Sequence, residues 1–448
     1  MGELGCLYDD SRGKIEDILY FYNPCTHTAV ADAIRKIPAN FIVYQGLGTE
    51  KVMELLDKKG DELMKTPGGE DLLKKSFGFL EKPDKTKSML AWIAWIRTLQ
   101  QQRTRLALTQ KKATEEYATL EAFFEFAALS VQVMNAASKE ANGKSPEQLK
   151  ALAPERVHLR TVDTIINLYG RDVVIAFEHN DIPFLMPNAR NLGNSLHDDD
   201  FMRALPFDHK GIFEDSFLAQ RGYHIGQPLA LATLDGGQLV SGCETAYCGF
   251  GILDTNRLAD SANPRVRKDI EKELRNILPK KSHFFELGNS TDHIDMLVVP
   301  FTNDCVGLVN VAQTKSRLER ARIFLSDAES QENLRVHNEA EVIRNVLRAQ
   351  RINIVDLPGI SLQFRGAMSR LSYANVLLDE KNAYVPTRGK SIDSRIATGG
   401  KIMDDWAENA FQKYKHVTPL LGFDRPDAWA SAGIRCVLNV IRRSKNEK

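Results

Sequence analysis

Thr291-Asp292-His293-Ile294-Asp295-Met296, running straight into Leu297-Val298-Val299, is the stretch on which the reading of this chain turns. An extended backbone puts residues two apart on the same side. Taken as the lead-in to an apolar strand, the stretch sets a base, His293, beside a carboxylate, Asp295. Far downstream, Ala432-Gly433-Ile434-Arg435-Cys436 opens a second apolar strand reading through Ile441. A free thiol there supplies a nucleophile, and the glycine ahead of it lets a substrate approach the backbone. Cysteine attacks as the thiolate, and a histidine partner promotes that ionisation or protonates a leaving group. Singly, Cys436 reads as a buried structural thiol and His293/Asp295 as a hydrogen-bonded edge pair. Together they supply the nucleophile, base and acid of a covalent mechanism.

Around these segments the chain alternates in texture. Short apolar runs at 172–177, 249–253, 294–299, 307–311, 374–378 and 436–441 are separated by helical stretches near 264–277, 326–349 and 402–415. Strands interleaved with helices indicate an α/β fold. The pairs 294–299 with 307–311 and 374–378 with 383–386 read as hairpins joined by helices, which is compatible with a repeated array. The N-terminal third differs. A short strand reads at 39–45, and 49–141 is mostly helical in pattern, with no glycine or proline from Ser88 to Asn142. Asn142-Gly143-Lys144-Ser145-Pro146 breaks that block, and Ser145 with Gln148 looks like a new helix start. The expected division is a mainly α-helical accessory domain over 1–150 and a catalytic domain over 151–448.

The composition narrows the function classes. The 448 residues are 43% hydrophobic and 26% charged, enough for a sizeable core. A formal net charge of zero argues against a dedicated nucleic-acid binder. No apolar run reaches the roughly 18–20 residues of a membrane span. The N-terminus lacks the basic-then-apolar pattern of a signal peptide, so the expected location is the cytoplasm. Six cysteines in this length do not suggest a disulfide scaffold. Cys243 and Cys248 have no second Cys/His pair at ligand spacing, so no metal site is expected there. Asp198-Asp199-Asp200 reads as a solvated loop, not as a cation site.

Four segments, in order, resemble the guanidino-group-modifying (pentein) superfamily, which includes agmatine, arginine and peptidylarginine deiminases, arginine dihydrolases and amidinotransferases. Asp235-Gly236-Gly237-Gln238 is similar to its acid-Gly-Gly segment. Thr291–Met296 is similar to its Gly-His-x-Asp strand. Ser372-Tyr373-Ala374-Asn375, with Tyr384-Val385-Pro386, is similar to its Ser-Tyr-x-Asn and Val-Pro strands. Ala432–Cys436 is similar to its terminal Gly-x-x-His-Cys segment. The resemblance covers roughly 157–448.

The resemblance implies a five-bladed α/β propeller with the site at its centre, preceded here by the mainly helical N-terminal domain. It implies that Cys436 attacks a guanidinium carbon, that His293 protonates the departing amine and then activates water, and that Asp295 grips guanidinium nitrogens. Asp235, Asn375, Arg190 and Asn191 would line the substrate. The implied activity is a deiminase-type hydrolase of an arginine side chain, agmatine or arginine, needing no cofactor. A same-family amidinotransferase and a catalytically degenerate protein-binding scaffold are the alternatives. The helical domain hints at a protein partner or protein arginine as substrate. Two positions depart from the pattern: Asn191 stands where relatives usually carry the Asp of an Arg-Asp-x-Gly segment, and Arg435 stands where many carry His.

Overall fold

The computed structural model describes residues 6–7, 12–65, 144–164, 166, 174–179, 182–187, 210–226, 236–242, 245–249, 281–285, 293–364, 367–389, 394–422 and 433–444, with isolated residues between 268 and 278. Among these residues six sheets form. Five of them repeat one unit, in which an antiparallel pair is extended by a third strand lying parallel to the second. The units are Val174–His179, Ile182–Pro187 and His224–Ile225; Leu239–Ser241, Thr245–Gly249 and Lys281–Phe285; and Val298–Thr302, Cys305–Val309 and Asn353–Leu357. The next is Leu377–Leu378, Asn382–Pro386 and His416–Leu420. The sixth sheet is a two-stranded hairpin, Gly359–Phe364 with Ala367–Ser372.

The fifth unit is assembled from both ends of the chain. Leu438–Arg443 pairs antiparallel with Ile15–Phe21, which pairs in parallel with Asn40–Gln45. Val157–Thr161 then adds in parallel to Asn40–Gln45. The expected division at 150 therefore runs through one sheet, between two strands that are hydrogen-bonded to each other. Residues 15–45 stand with the C-terminal strand, and their core joins the two ends, with Ile18, Val43 and Leu438 in one buried cluster. The helical stretch expected from 49 begins as the helix Thr49–Lys65, and 66–143 lie outside the described residues. Ser145 and Gln148 do form a capping box at the start of the helix Pro146–Leu152.

Parallel neighbours need a crossover, and helices provide it. His27–Lys36 links two strands of the fifth unit, Val311–Arg320 and Asp327–Ala349 link two of the third, and Ser394–Phe411 links two of the fourth. The last two of these helices are the stretches expected near 326–349 and 402–415. Both expected hairpins form, shifted in register to 298–302 with 305–309 and to 377–378 with 382–386.

Glu329 ties three of these elements together. It sits at the third position of the helix Asp327–Ala349 in a capping box with Ser326. Its carboxylate accepts from Gln363 N (2.6 Å), Ser326 N (2.8 Å) and both terminal nitrogens of Arg395 (2.7 and 2.8 Å). Burial pushes its pKa up, but Arg395 and the two backbone N–H groups outweigh that and hold it at about 2, below the ordinary 4.5. A carboxylate whose folded pKa is depressed contributes stability above its unfolded value and loses it as pH falls through the folded value. We expect the melting temperature to fall between about pH 4.5 and pH 2 partly through this group. A pH series of thermal melts checks it, since Glu329→Gln should make that acid limb shallower while lowering stability at neutral pH.

Candidate active site

The His-x-Asp segment is a turn and not the expected strand. His293 is extended (φ −76°, ψ 139°) and begins a one-turn 3-10 helix over Ile294–Met296, closed by Met296 N to His293 O (3.0 Å) and Leu297 N to Ile294 O (3.0 Å). The strand starts at Val298. The physical reason lies in the apolar spacing. Ile294 and Leu297 are three apart and both fully buried, which matches the three-residue repeat of a 3-10 turn. The Cys436 segment is likewise corrected. Gly433 begins a short helix, Ile434–Val437, that carries the cysteine, and the strand Leu438–Arg443 follows it. Both segments thus sit at the entrances to strands, where backbone can turn without breaking a sheet.

A third segment joins them. The strand Ala367–Ser372 ends in a bend over Tyr373–Asn375. Ser372 Oγ donates to Met296 O (2.6 Å) and accepts from Ala374 N (3.1 Å), so it fastens the bend to the His-x-Asp turn. Tyr373 Oη donates to Asp404 Oδ1 (2.5 Å), anchoring the bend to the helix Ser394–Phe411. Burial, reinforced by the Asp404 charge, raises the Tyr373 pKa well above the ordinary phenol, so it stays a donor. Asn375 Oδ1 accepts from Arg435 N (2.7 Å), and its Nδ2 faces Cys436 Sγ at 3.5 Å.

The result is a compact cluster. Cys436 Sγ lies 4.0 Å from Asp295 Oδ2. One ring nitrogen of His293, one oxygen of Asp295 and Cys436 Sγ all lie within 4.8 Å of one another. Asp295 and Asn375 are fully buried, Cys436 is 9% exposed, and His293 is half-buried. The Cys436 thiol and both its polar neighbours are therefore largely withdrawn from water, and the histidine reaches toward it. Among the described residues these three also form the one His/Cys/carboxylate set whose ligand atoms could converge on a metal ion.

Two glycines leave the room. The turn Gly236–Gln238 packs against Ile294–Met296 and against the helix Ile434–Val437. A Cβ at Gly237 would overlap His293 Nδ1 and Cγ and reach Cε1 at 2.7 Å. A Cβ at Gly433 would overlap the amide carbon and oxygen of Asn375. Both glycines belong to motifs visible in the sequence, but their use appears only when the three segments meet. The same holds for Ser372, the first residue of the Ser-Tyr-x-Asn segment, whose hydroxyl at a strand end before a bend gives no sign of its partner Met296 O.

Of the expected site residues, the structure brings together Cys436, His293, Asp295 and Asn375. Asp235, Arg190 and Asn191 lie outside the described residues, as do Cys243 and Asp198–Asp200. Arg435, the departure next to the thiol, is buried at 2% exposure. Cys248 is a buried strand residue whose thiol burial pushes well up, as a structural cysteine requires. No helix among the described residues is long and apolar enough to cross a membrane.

No protein-family model matches the sequence, and no curated protein matches it. Solved structures do. A candidate agmatine deiminase aligns at TM-score 0.54 and 12% identity, over 98% of this chain and 96% of its own. A candidate peptidyl-arginine deiminase aligns at 0.53 and 12%, over 99% and 100%. A candidate arginine deiminase from Porphyromonas gingivalis aligns at 0.50 and 13%, over 96% of each. At these identities the likeness speaks of architecture, and the architecture is the mixed α/β pentein fold shared by the guanidino-group-modifying enzymes.

Proposed function

We propose that this chain is a cysteine-dependent hydrolase of a guanidino C–N bond, acting on an arginine side chain, agmatine or arginine. The observation that carries the reading is the convergence of Cys436 Sγ, a His293 ring nitrogen and an Asp295 oxygen within 4.8 Å, from segments far apart in the chain. The three structural neighbours differ in named substrate but share the guanidino group, which supports that group as the reacting one. The five repeated strand units are read as the blades of a propeller, closed by the pairing of the two chain ends. The accessory segment is then an insertion between Asn40–Gln45 and Val157–Thr161, and not a separate leading domain.

The chemistry follows from the groups present. A guanidinium is planar and cationic, and a buried carboxylate such as Asp295 holds its N–H groups with charge-assisted hydrogen bonds. The Cys436 thiolate adds to the central carbon to give a tetrahedral adduct. Collapse expels one nitrogen as ammonia, with His293 donating the proton. The carbon stays bound to sulfur as an S-alkylthiouronium. His293 then takes a proton from water, whose oxygen attacks that carbon, and the sulfur leaves. The products are one ammonia and one ureido compound, and the thiolate is restored.

The test is an ammonia and ureido assay against agmatine, arginine and an arginine-containing protein. The reading expects one of them to yield ammonia and ureido product in a one-to-one ratio. Asp295→Asn should cut kcat/KM by roughly a hundredfold or more, because it removes the charge opposite a buried cation. No turnover on any of the three, or full turnover in Asp295→Asn, would remove the reading.

A further inference from the structure

We infer that Asn375 is a positioning residue for the nucleophile: its side-chain amide is locked with the NH2 group turned onto Cys436 Sγ, where it favours the thiolate. The inference rests on the reading of Cys436 as nucleophile, but it concerns a contact that the substrate does not make.

An asparagine amide has an accepting and a donating end, and the hydrogen-bond network decides which way round they lie. Here the choice is forced. Asn375 Oδ1 sits 2.7 Å from Arg435 N, a backbone N–H that can only donate. The oxygen must therefore face residue 435, and the NH2 group must face the sulfur, 3.5 Å away. A thiolate accepts from such a donor far better than a neutral thiol does, so the contact selects the charged form. Asp295 Oδ2 also stands beside the sulfur, at 4.0 Å, and its negative charge pushes the opposite way. The amide is thus a neutral donor opposing an anionic neighbour on one atom.

The surroundings hold that amide in place. Asn375 is fully buried. Its bend is fastened by Ser372 to Met296 O and by Tyr373 to Asp404. Gly433 lies so close that a Cβ there would overlap the Asn375 amide. The same glycine precedes the turn that carries Cys436, so donor and nucleophile are fixed against each other over a few ångströms.

The experiment is the pH dependence of Cys436 alkylation by iodoacetamide in the full chain, followed by mass of the Cys436 peptide, with a thermal melt of each variant. Asn375→Asp keeps an oxygen for Arg435 N and nearly the same shape, but replaces the donor by a second anion. Gly433→Ala keeps Asn375 and displaces its amide. Both should move the alkylation midpoint up by about one pH unit, making the reaction at neutral pH about tenfold slower. A purely structural Asn375 would lower the melting temperature and leave the midpoint of the folded protein alone. Wild-type midpoints in whichever of these variants melts cooperatively would overturn the inference. Iodoacetamide carries no guanidino group, so the outcome is independent of the substrate reading: a chain inactive on every guanidino compound can still show the Asn375-dependent midpoint.

Discussion

We expect Cys436→Ala to release almost no ammonia from any guanidino substrate, with kcat lower by about five to six orders of magnitude and an unchanged melting profile. Deleting the nucleophile of a covalent mechanism leaves only the rate supplied by binding and electrostatics, and losses near 10^6 are the scale observed for such groups, an order-of-magnitude guide. The fold should tolerate the change. Cys436 is 9% exposed and sits on a short helix at the mouth of a strand, so removing one sulfur leaves a small gap beside Asp295 and Asn375 instead of a hole in the main cores. Cys436→Ser keeps the shape but offers an alcohol that is far harder to ionise, and it should be nearly as inactive. A variant that kept even a tenth of wild-type turnover would mean that the sulfur does not carry the reaction.

Gly237→Ala should have the next largest effect, although residue 237 touches no substrate in this account. The new Cβ would occupy the volume of the His293 ring, overlapping Nδ1 and Cγ. The backbone of the Gly236–Gln238 turn is packed between two other segments and has little room to retreat. The ring must therefore swing away by about an ångström, the scale at which misplacing a catalytic group costs roughly a hundredfold in rate. In the proposed mechanism leaving-group protonation and water activation both fall to His293, so kcat should fall by about 10^2 or more while KM changes little. Steady-state kinetics on whichever substrate is turned over measures this. An equal loss from the quieter Gln238→Ala would point to general loosening of the turn instead of displacement of the histidine.

How much of this could be read from the chain depends on how local each feature is. His293, Asp295 and Cys436 stand out in the sequence because their residue types carry chemistry whatever the backbone does, and the structure brings the three side chains together within 4.8 Å. His293 and Asp295 are not paired by alternation on a strand; a 3-10 turn places the two groups, and its mark in the sequence is the apolar pair Ile294 and Leu297, three residues apart and both buried in the fold. The hairpin at 298–309 was legible because its apolar runs are adjacent in sequence and rich in β-branched residues. Closure of the fifth unit by Leu438–Arg443 against Ile15–Phe21 was not legible, because pairing between chain ends leaves no local pattern. That is why residues 15–45 were assigned to an accessory domain. The orientation of the Asn375 amide was equally hidden, since it is set by one backbone N–H from a segment 60 positions away.

The most direct test of the central claim is labelling by a haloacetamidine, a small planar cation shaped like the end of a guanidino group and carrying a carbon that a thiolate can alkylate. The account predicts rapid covalent modification confined to Cys436, slowed by a guanidino substrate and slowed strongly in Asp295→Asn, where the cation loses its carboxylate. Modification of Cys436 that is no faster than with neutral iodoacetamide, and indifferent to both Asp295 and added guanidino compound, would contradict it.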